Sequence, residues 1–138
     1  MIEPWLVHFF QRHIEDDEFQ SVPALDFLLQ LPNKIAAEIQ AVLYAVADAP
    51  PPSFSGGGKW EAMHGELAGI YEIRVQGAGA NHRLFCLLER NAEELGGPSV
   101  VVIGGLSKPK RTAANSKDYD RVLQAKEEYL ARRTVLQL

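Results

Sequence analysis

Two arginines, Arg74 and Arg83, flank the stretch Gly77-Ala78-Gly79, and each has a proton carrier close by: Glu72 near the first and His82 beside the second. If the glycines turn a hairpin, both guanidiniums can point at one phosphate across antiparallel strands. Further along, Lys108, Lys110 and Arg111 fall within four positions, opened by Gly104 and Gly105 and followed by Lys117. Such a run suits a clamp on a phosphate backbone, and Pro109 fixes the chain between the two lysines. Histidine ordinarily titrates near neutral pH, which makes His82 and His64 candidates to carry a proton, and Glu72 can serve as a base. The chemistry available is therefore anion binding with proton transfer beside it.

Each residue also has a plainer reading. Arg74 can pair with Glu72 or another acid on a solvated sheet face, and Glu72 can be no more than that partner. A basic run is often a solvated loop, and a lone histidine is often structural. The other chemistries find less support. GGGK lacks phosphate-loop spacing, and there is no CxxC, HExxH or acidic calcium loop, so neither metal nor cofactor is implied. The lone cysteine, Cys86, sits in the apolar run LFCLL, where a small buried hydrophobe in a reducing compartment is expected rather than a nucleophile.

At 138 residues, with 46% hydrophobic and 23% charged residues, the chain fits one folded domain. The net charge of -4 argues against an indiscriminate polyanion binder. The charge is unevenly spread, however. Residues 1–31 hold six acids against Arg12 alone, whereas residues 104–117 hold four cations and no acid, which puts any polyanion site in the second half. The apolar stretch Trp5 to Phe10 has neither a basic leader nor the length to span a membrane, so a cytoplasmic protein without a membrane partner is expected.

The elements that must position these residues follow from periodicity. Trp5 to Phe10 reads as a first strand, followed by the acidic stretch IEDDEF as a loop or an extra helical turn. Ser21 and Val22 before Pro23 suit a helix start, with Leu25, Leu28, Leu29 and Leu31 as its stripe up to Pro32. A second helix begins at Asn33, buries Ile35, Ile39, Val42, Leu43 and Val46, and stops at Ala49-Pro-Pro-Pro. The segment SFSGGGK then links to three antiparallel strands, Gly69 to Val75, His82 to Glu89 and Val100 to Leu106. The first alternates Tyr71, Ile73 and Val75 with Ile70, Glu72 and Arg74, as a half-exposed strand does. NAEELGGP reads as a surface loop. Ser116 can cap a last helix whose inner stripe is Tyr119, Val122, Leu123, Lys126, Tyr129 and Leu130. This order predicts an α+β domain with its helices on one face of the sheet.

The segment KWEAMHGELAGIYEIRVQGAGANHRLFCLLER, followed by SVVVIGGLSKPKRTA and a terminal helix, resembles the phage-derived, host-inhibition (HigB-like) branch of the RelE/HigB toxin superfamily. In that branch a Trp opens the second half, a "glyElR" strand pairs with a "yRlfy" strand, and an "hgF.KK" strand end leads into the last helix. The equivalents are Trp60, Gly69 to Arg74, His82 to Phe85 and Gly104 to Lys110. The resemblance implies a single RelE-like domain over residues 1–138, with an antiparallel twisted sheet, two N-terminal helices and a C-terminal helix. It also implies a type II toxin, an endoribonuclease cutting mRNA, usually on the ribosome, and restrained by a cognate antitoxin, commonly a helix-turn-helix protein. Metal-free cleavage by the 2′-hydroxyl then needs Arg83, His82, Arg74 and Lys108 at the reacting phosphate and Lys110, Arg111 and Lys117 along the RNA. Trp60 and Tyr71 either stack on a base or pack in the core. The alternative is a non-catalytic protein-binding module of the same fold or a degenerate phage remnant, which the negative charge favours.

Overall fold

The computed structural model describes residues 3–49 and 58–137. Of the expected helix stop and linker, residues 50–57 lie outside the described residues. The elements are β1 (Leu6–Phe9), α1 (Pro23–Leu29), α2 (Asn33–Asp48), β2 (Trp60–Ala62), β3 (Ile70–Gly77), β4 (Ala80–Glu89), β5 (Ser99–Pro109) and α3 (Ser116–Arg132). One sheet runs β1-β5-β4-β3-β2.

The α+β order with two N-terminal helices and a C-terminal one is as expected, but the sheet is mixed. β2 to β5 pair antiparallel, while β1 lies parallel to β5, with Leu6 opposite Ser99 and Phe9 opposite Val102. β2 is an additional short edge strand beside β3.

The helices also divide between the two faces rather than sharing one. The cause is in the central strands, which are apolar on both sides and must be covered on both. Ile73, Val75, Leu84, Cys86, Val100 and Val102 pack with Ile35, Ile39, Leu43 and Val46 of α2 and with Ala24 and Leu28 of α1. On the other face Ile70, Phe85, Leu87, Val101 and Ile103 pack with Val122, Ala125 and Tyr129 of α3. Burying each such large apolar side chain contributes about 1.5–3 kcal/mol. The face of β3 that alternation alone leaves half exposed is therefore roofed by α3, and Ile70 and Glu72 are buried there.

Local chemistry sets the helix ends. Pro23 opens α1 with Val22 as an uncapped N-cap, because the Ser21 hydroxyl donates instead to Asp17 at 2.6 Å. α3 is capped by Asn115 rather than Ser116, in a reciprocal box with Asp118.

A bulge interrupts β5. Cys86 pairs with Val102 but Phe85 with Gly104, so Ile103 is an extra residue. Beyond it Gly104, Leu106 and Lys108 face α3, and Gly105 and Ser107 face the α2 side. Gly105 is required, since a Cβ there would run into the Phe27 ring of α1.

Candidate active site

Register brings four charged residues together under α3. Arg74 lies directly opposite Arg83, and Glu72 lies between Glu61 on β2 and Phe85 on β4. Glu72 Oε1 is 3.4 Å from Arg74 Nε, and Oε2 is 3.7 Å from Arg83 Nη1. Arg74 Nη1 also donates to Glu61 Oε2 at 3.4 Å. From α3, Tyr119 sets its hydroxyl against Arg83 Nη1, which donates to it, and its ring edge against Phe85.

Glu72 is the unusual member. It is only 5% exposed, and among the described residues its Oε2 has no hydrogen-bond partner. Burial pushes its carboxyl above the ordinary glutamate range, Arg83 and Arg74 pull it back, and Glu61 adds an upward push. A carboxyl of raised proton affinity, with one oxygen that accepts no hydrogen bond among the described residues, between two guanidiniums, is equipped to take a proton beside a bound anion.

The second cationic group flanks the first. Lys108, on the same face of β5, holds Asp118 of α3 at 2.9 Å. The bond from Asn115 N–H, then that from Lys108, keeps the Asp118 carboxyl below the usual range. Lys110 adjoins the β3–β4 turn, its N–H bonded to Gly79 O at 2.9 Å. Arg111 takes a left-handed φ of 70° at the end of the strand, and Lys117 lies in the first turn of α3. All three are exposed and, among the described residues, form no ion pair.

The acidic N-terminal stretch lies at the far end of α3. There Asp17, whose carboxyl is lowered by the bonds from Ser21, closes a turn, and Arg12 bonds Glu128 at 2.8 Å while Arg132 bonds Asp16 at 3.1 Å. At 1.5 Å per residue, the 17 residues of α3 hold the two poles about 25 Å apart.

The structure does not bring His82 to this cluster. Its side chain is buried on the opposite face, with Nε2 at 3.0 Å from Gly77 O and Nδ1 at 2.7 Å from Ser107 Oγ. The carbonyl can only accept, so Nε2 donates to it, and in the neutral ring Nδ1 then accepts from the Ser107 hydroxyl. Alternation along β4 is the reason, since neighbours in a strand point to opposite faces. His64 is exposed at the start of a short 3-10 turn, Gly65–Leu67, away from the strand pair. Trp60 and Tyr71 stack on each other at 5.0 Å on the α2 side, where they pack the core. Cys86 is fully buried, and burial pushes its thiol up, away from the reactive thiolate. Among the described residues no cluster of His, Cys, Asp and Glu could hold a metal ion, and no helix is long and apolar enough to cross a membrane.

Three members of the site carry no strong sequence signal. Periodicity places Tyr119 in the inner stripe of α3, which is correct for its ring but silent about its hydroxyl. Asp118 reads as a helix-start acid, and Glu61 precedes any recognisable strand. What joins them is cross-strand register, which a single sequence does not display.

No family model matches the chain, and no curated protein is matched. A search of solved structures finds similarity to the toxin-antitoxin complex RelBE2 of Mycobacterium tuberculosis, at 19% identity and a TM-score of 0.48, covering 78% of this chain and 95% of that one.

Proposed function

We propose that this chain is a toxin of the RelE/HigB type, of the phage-derived HigB-like branch, and that it cuts mRNA in the cytoplasm, on the ribosome, by 2′-hydroxyl attack without a metal. The observation that carries the reading is Glu72, a buried carboxylate of raised proton affinity flanked by Arg74 and Arg83 on a sheet face rimmed by Lys108, Lys110, Arg111 and Lys117. The motif order of the second half supports the family.

In the proposed reaction the 2′-oxygen bonds to phosphorus as Glu72 accepts its proton. Arg83, Arg74 and Lys108 stabilise the dianionic phosphorane, and the bond to the 5′-oxygen then breaks. Tyr119, whose oxygen accepts from Arg83, is left free to give its proton to the departing oxygen. The products are a 2′,3′-cyclic phosphate and a free 5′-hydroxyl. The partner is a cognate antitoxin of the helix-turn-helix kind, which covers the cationic rim with acidic side chains.

A second reading is a non-catalytic module of this fold. It is favoured by α3 itself, because Asp118 and Tyr119 already engage Lys108 and Arg83.

Incubation of the purified chain with translating ribosomes and a defined message separates the two. Cleavage with cyclic-phosphate ends is expected, reduced about 10²–10⁴-fold in Glu72→Gln, with a melting temperature that shows the variant folded. Absence of cleavage and of growth arrest on expression sinks the enzyme reading in favour of the module.

A further inference from the structure

On the other flank of α3, away from the Glu72 cluster, a cleft of about 600 Å³ separates α3 from α1, with Gly104 and Gly105 of β5 as its floor. Its volume is in the range of small-molecule sites, and three features say what would fill it. Gly104 is buried, yet a Cβ there would meet no atom of the described residues within 4 Å, and its φ is not in the left-handed region. Neither backbone conformation nor packing against the protein requires this glycine. What it provides is a flat floor. Phe27 of α1 supplies an apolar wall, half-buried beside that floor.

The third feature is charge. Arg12 and Glu128, also lining the cleft, satisfy each other at 2.8 Å. The side chains of Asp26 of α1 and Arg121 of α3, on opposite walls, form no ion pair or hydrogen bond among the described residues. The cleft thus offers a flat apolar slot, an uncommitted carboxylate and an uncommitted guanidinium. The complementary ligand is planar and apolar in its body, with N–H donors at one edge and an anion at the other end.

We propose that this cleft binds a nucleoside monophosphate unit, its base lying over Gly104 with an exocyclic amino group donating to Asp26, joined in guanine by the ring N1–H, and its phosphate on Arg121. Adenine, cytosine and guanine carry the required amino group. Uracil offers a single ring N–H between two carbonyls, which a carboxylate repels, so it binds more weakly. Gln30 and Gln124, also in the lining, can bond base edges or ribose hydroxyls. The RNA-cutting reading enters only through the source of the nucleotide, which is either a flanking residue of an RNA strand or a free mononucleotide.

The test is a set of ¹⁵N NMR titrations of the full chain with cytidine, guanosine and uridine 5′-monophosphates, inorganic phosphate and a short single-stranded oligoribonucleotide. Saturable shifts at Gly104, Gly105 and the Arg121 side chain are expected with the amino-bearing nucleotides, at a dissociation constant of about 1 mM or below. Gly104→Leu, which fills the floor, weakens binding at least about tenfold, and Asp26→Asn, at an exposed helix position, brings cytidine and uridine nucleotides to equal affinity. An oligoribonucleotide binding more tightly at the same residues identifies RNA as the source, and equal affinity identifies free nucleotide. The proposal is overturned if phosphate alone reproduces the shifts, if no nucleotide binds, or if Gly104→Leu folds and binds as well as the parent. These titrations involve no cleavage, so their outcome is independent of whether the chain cuts RNA.

Discussion

The two faces of the sheet each bury a titratable side chain, and the two are treated in opposite ways. His82, 4% exposed on the α2 side between Val75 and Ser107, has both ring nitrogens bonded. Glu72, 5% exposed on the α3 side, keeps one oxygen without a hydrogen bond among the described residues and shares its surroundings with two arginines. Equal burial therefore does not mean equal role. A buried polar group that is satisfied helps fix the structure, whereas one held unsatisfied stores reactivity that neighbouring charges can direct.

Substitutions on the two faces can break or sharpen this contrast. The largest effect on stability is expected from the apolar face: Leu84→Ala, at a fully buried central position, should lower unfolding free energy by about 2–5 kcal/mol in urea titrations. His82→Ala should remove about 1–3 kcal/mol, because Ser107 and Gly77 lose their partner. The proposed RNA cleavage, measured on the folded fraction, should survive it, and loss of cleavage comparable to that of Arg83→Ala would place His82 in the reaction after all. Asn115→Ala, which opens the cap of α3 and loosens Asp118 on Lys108, should remove about 1 kcal/mol.

The smallest effect is a pH limb. The folded Glu72 carboxyl binds its proton more readily than the unfolded one, so it adds stability as pH falls from its raised folded value towards the ordinary glutamate value. Asp17 and Asp118 act in the opposite sense: their contribution is present above the ordinary aspartate range and is lost as pH falls through their lowered values. Melting temperature followed from pH 7 downwards should therefore rise slightly and then fall, and Glu72→Gln should abolish the rise alone. A rise that persists in that variant assigns it to another group.

Much of the architecture was legible because it rests on local pattern. Pro23 and Pro32 bracket α1, the spacing of Ile35, Ile39, Leu43 and Val46 gives α2, and Gly77-Ala78-Gly79 turns β3 into β4. The cationic pair was legible for the same reason, since a tight turn sets Arg74 opposite Arg83. Long-range features were not. The parallel pairing of β1 joins residues more than ninety positions apart, and the placement of α3 over β3 depends on where the chain goes after β5. His82 illustrates the limit well: adjacency to Arg83 in sequence suggests partnership, while adjacency in a strand enforces opposite faces.

The bulge at Ile103 makes β5 two strands out of phase by one residue. Paired without it, the same sequence would send Lys108 beneath the α2 layer and Ser107 towards Glu72. The positioning of the basic strand end is thus written in the count of residues as much as in their kinds. Loss of one residue at the bulge itself would restore regular pairing and leave Lys108 facing α3, at the expense of one core side chain. Loss of Leu106 or Ser107 would turn the lysine to the wrong side of the sheet. Tolerance to single-residue deletion should therefore change abruptly within a few positions, with Gly104 marking the boundary.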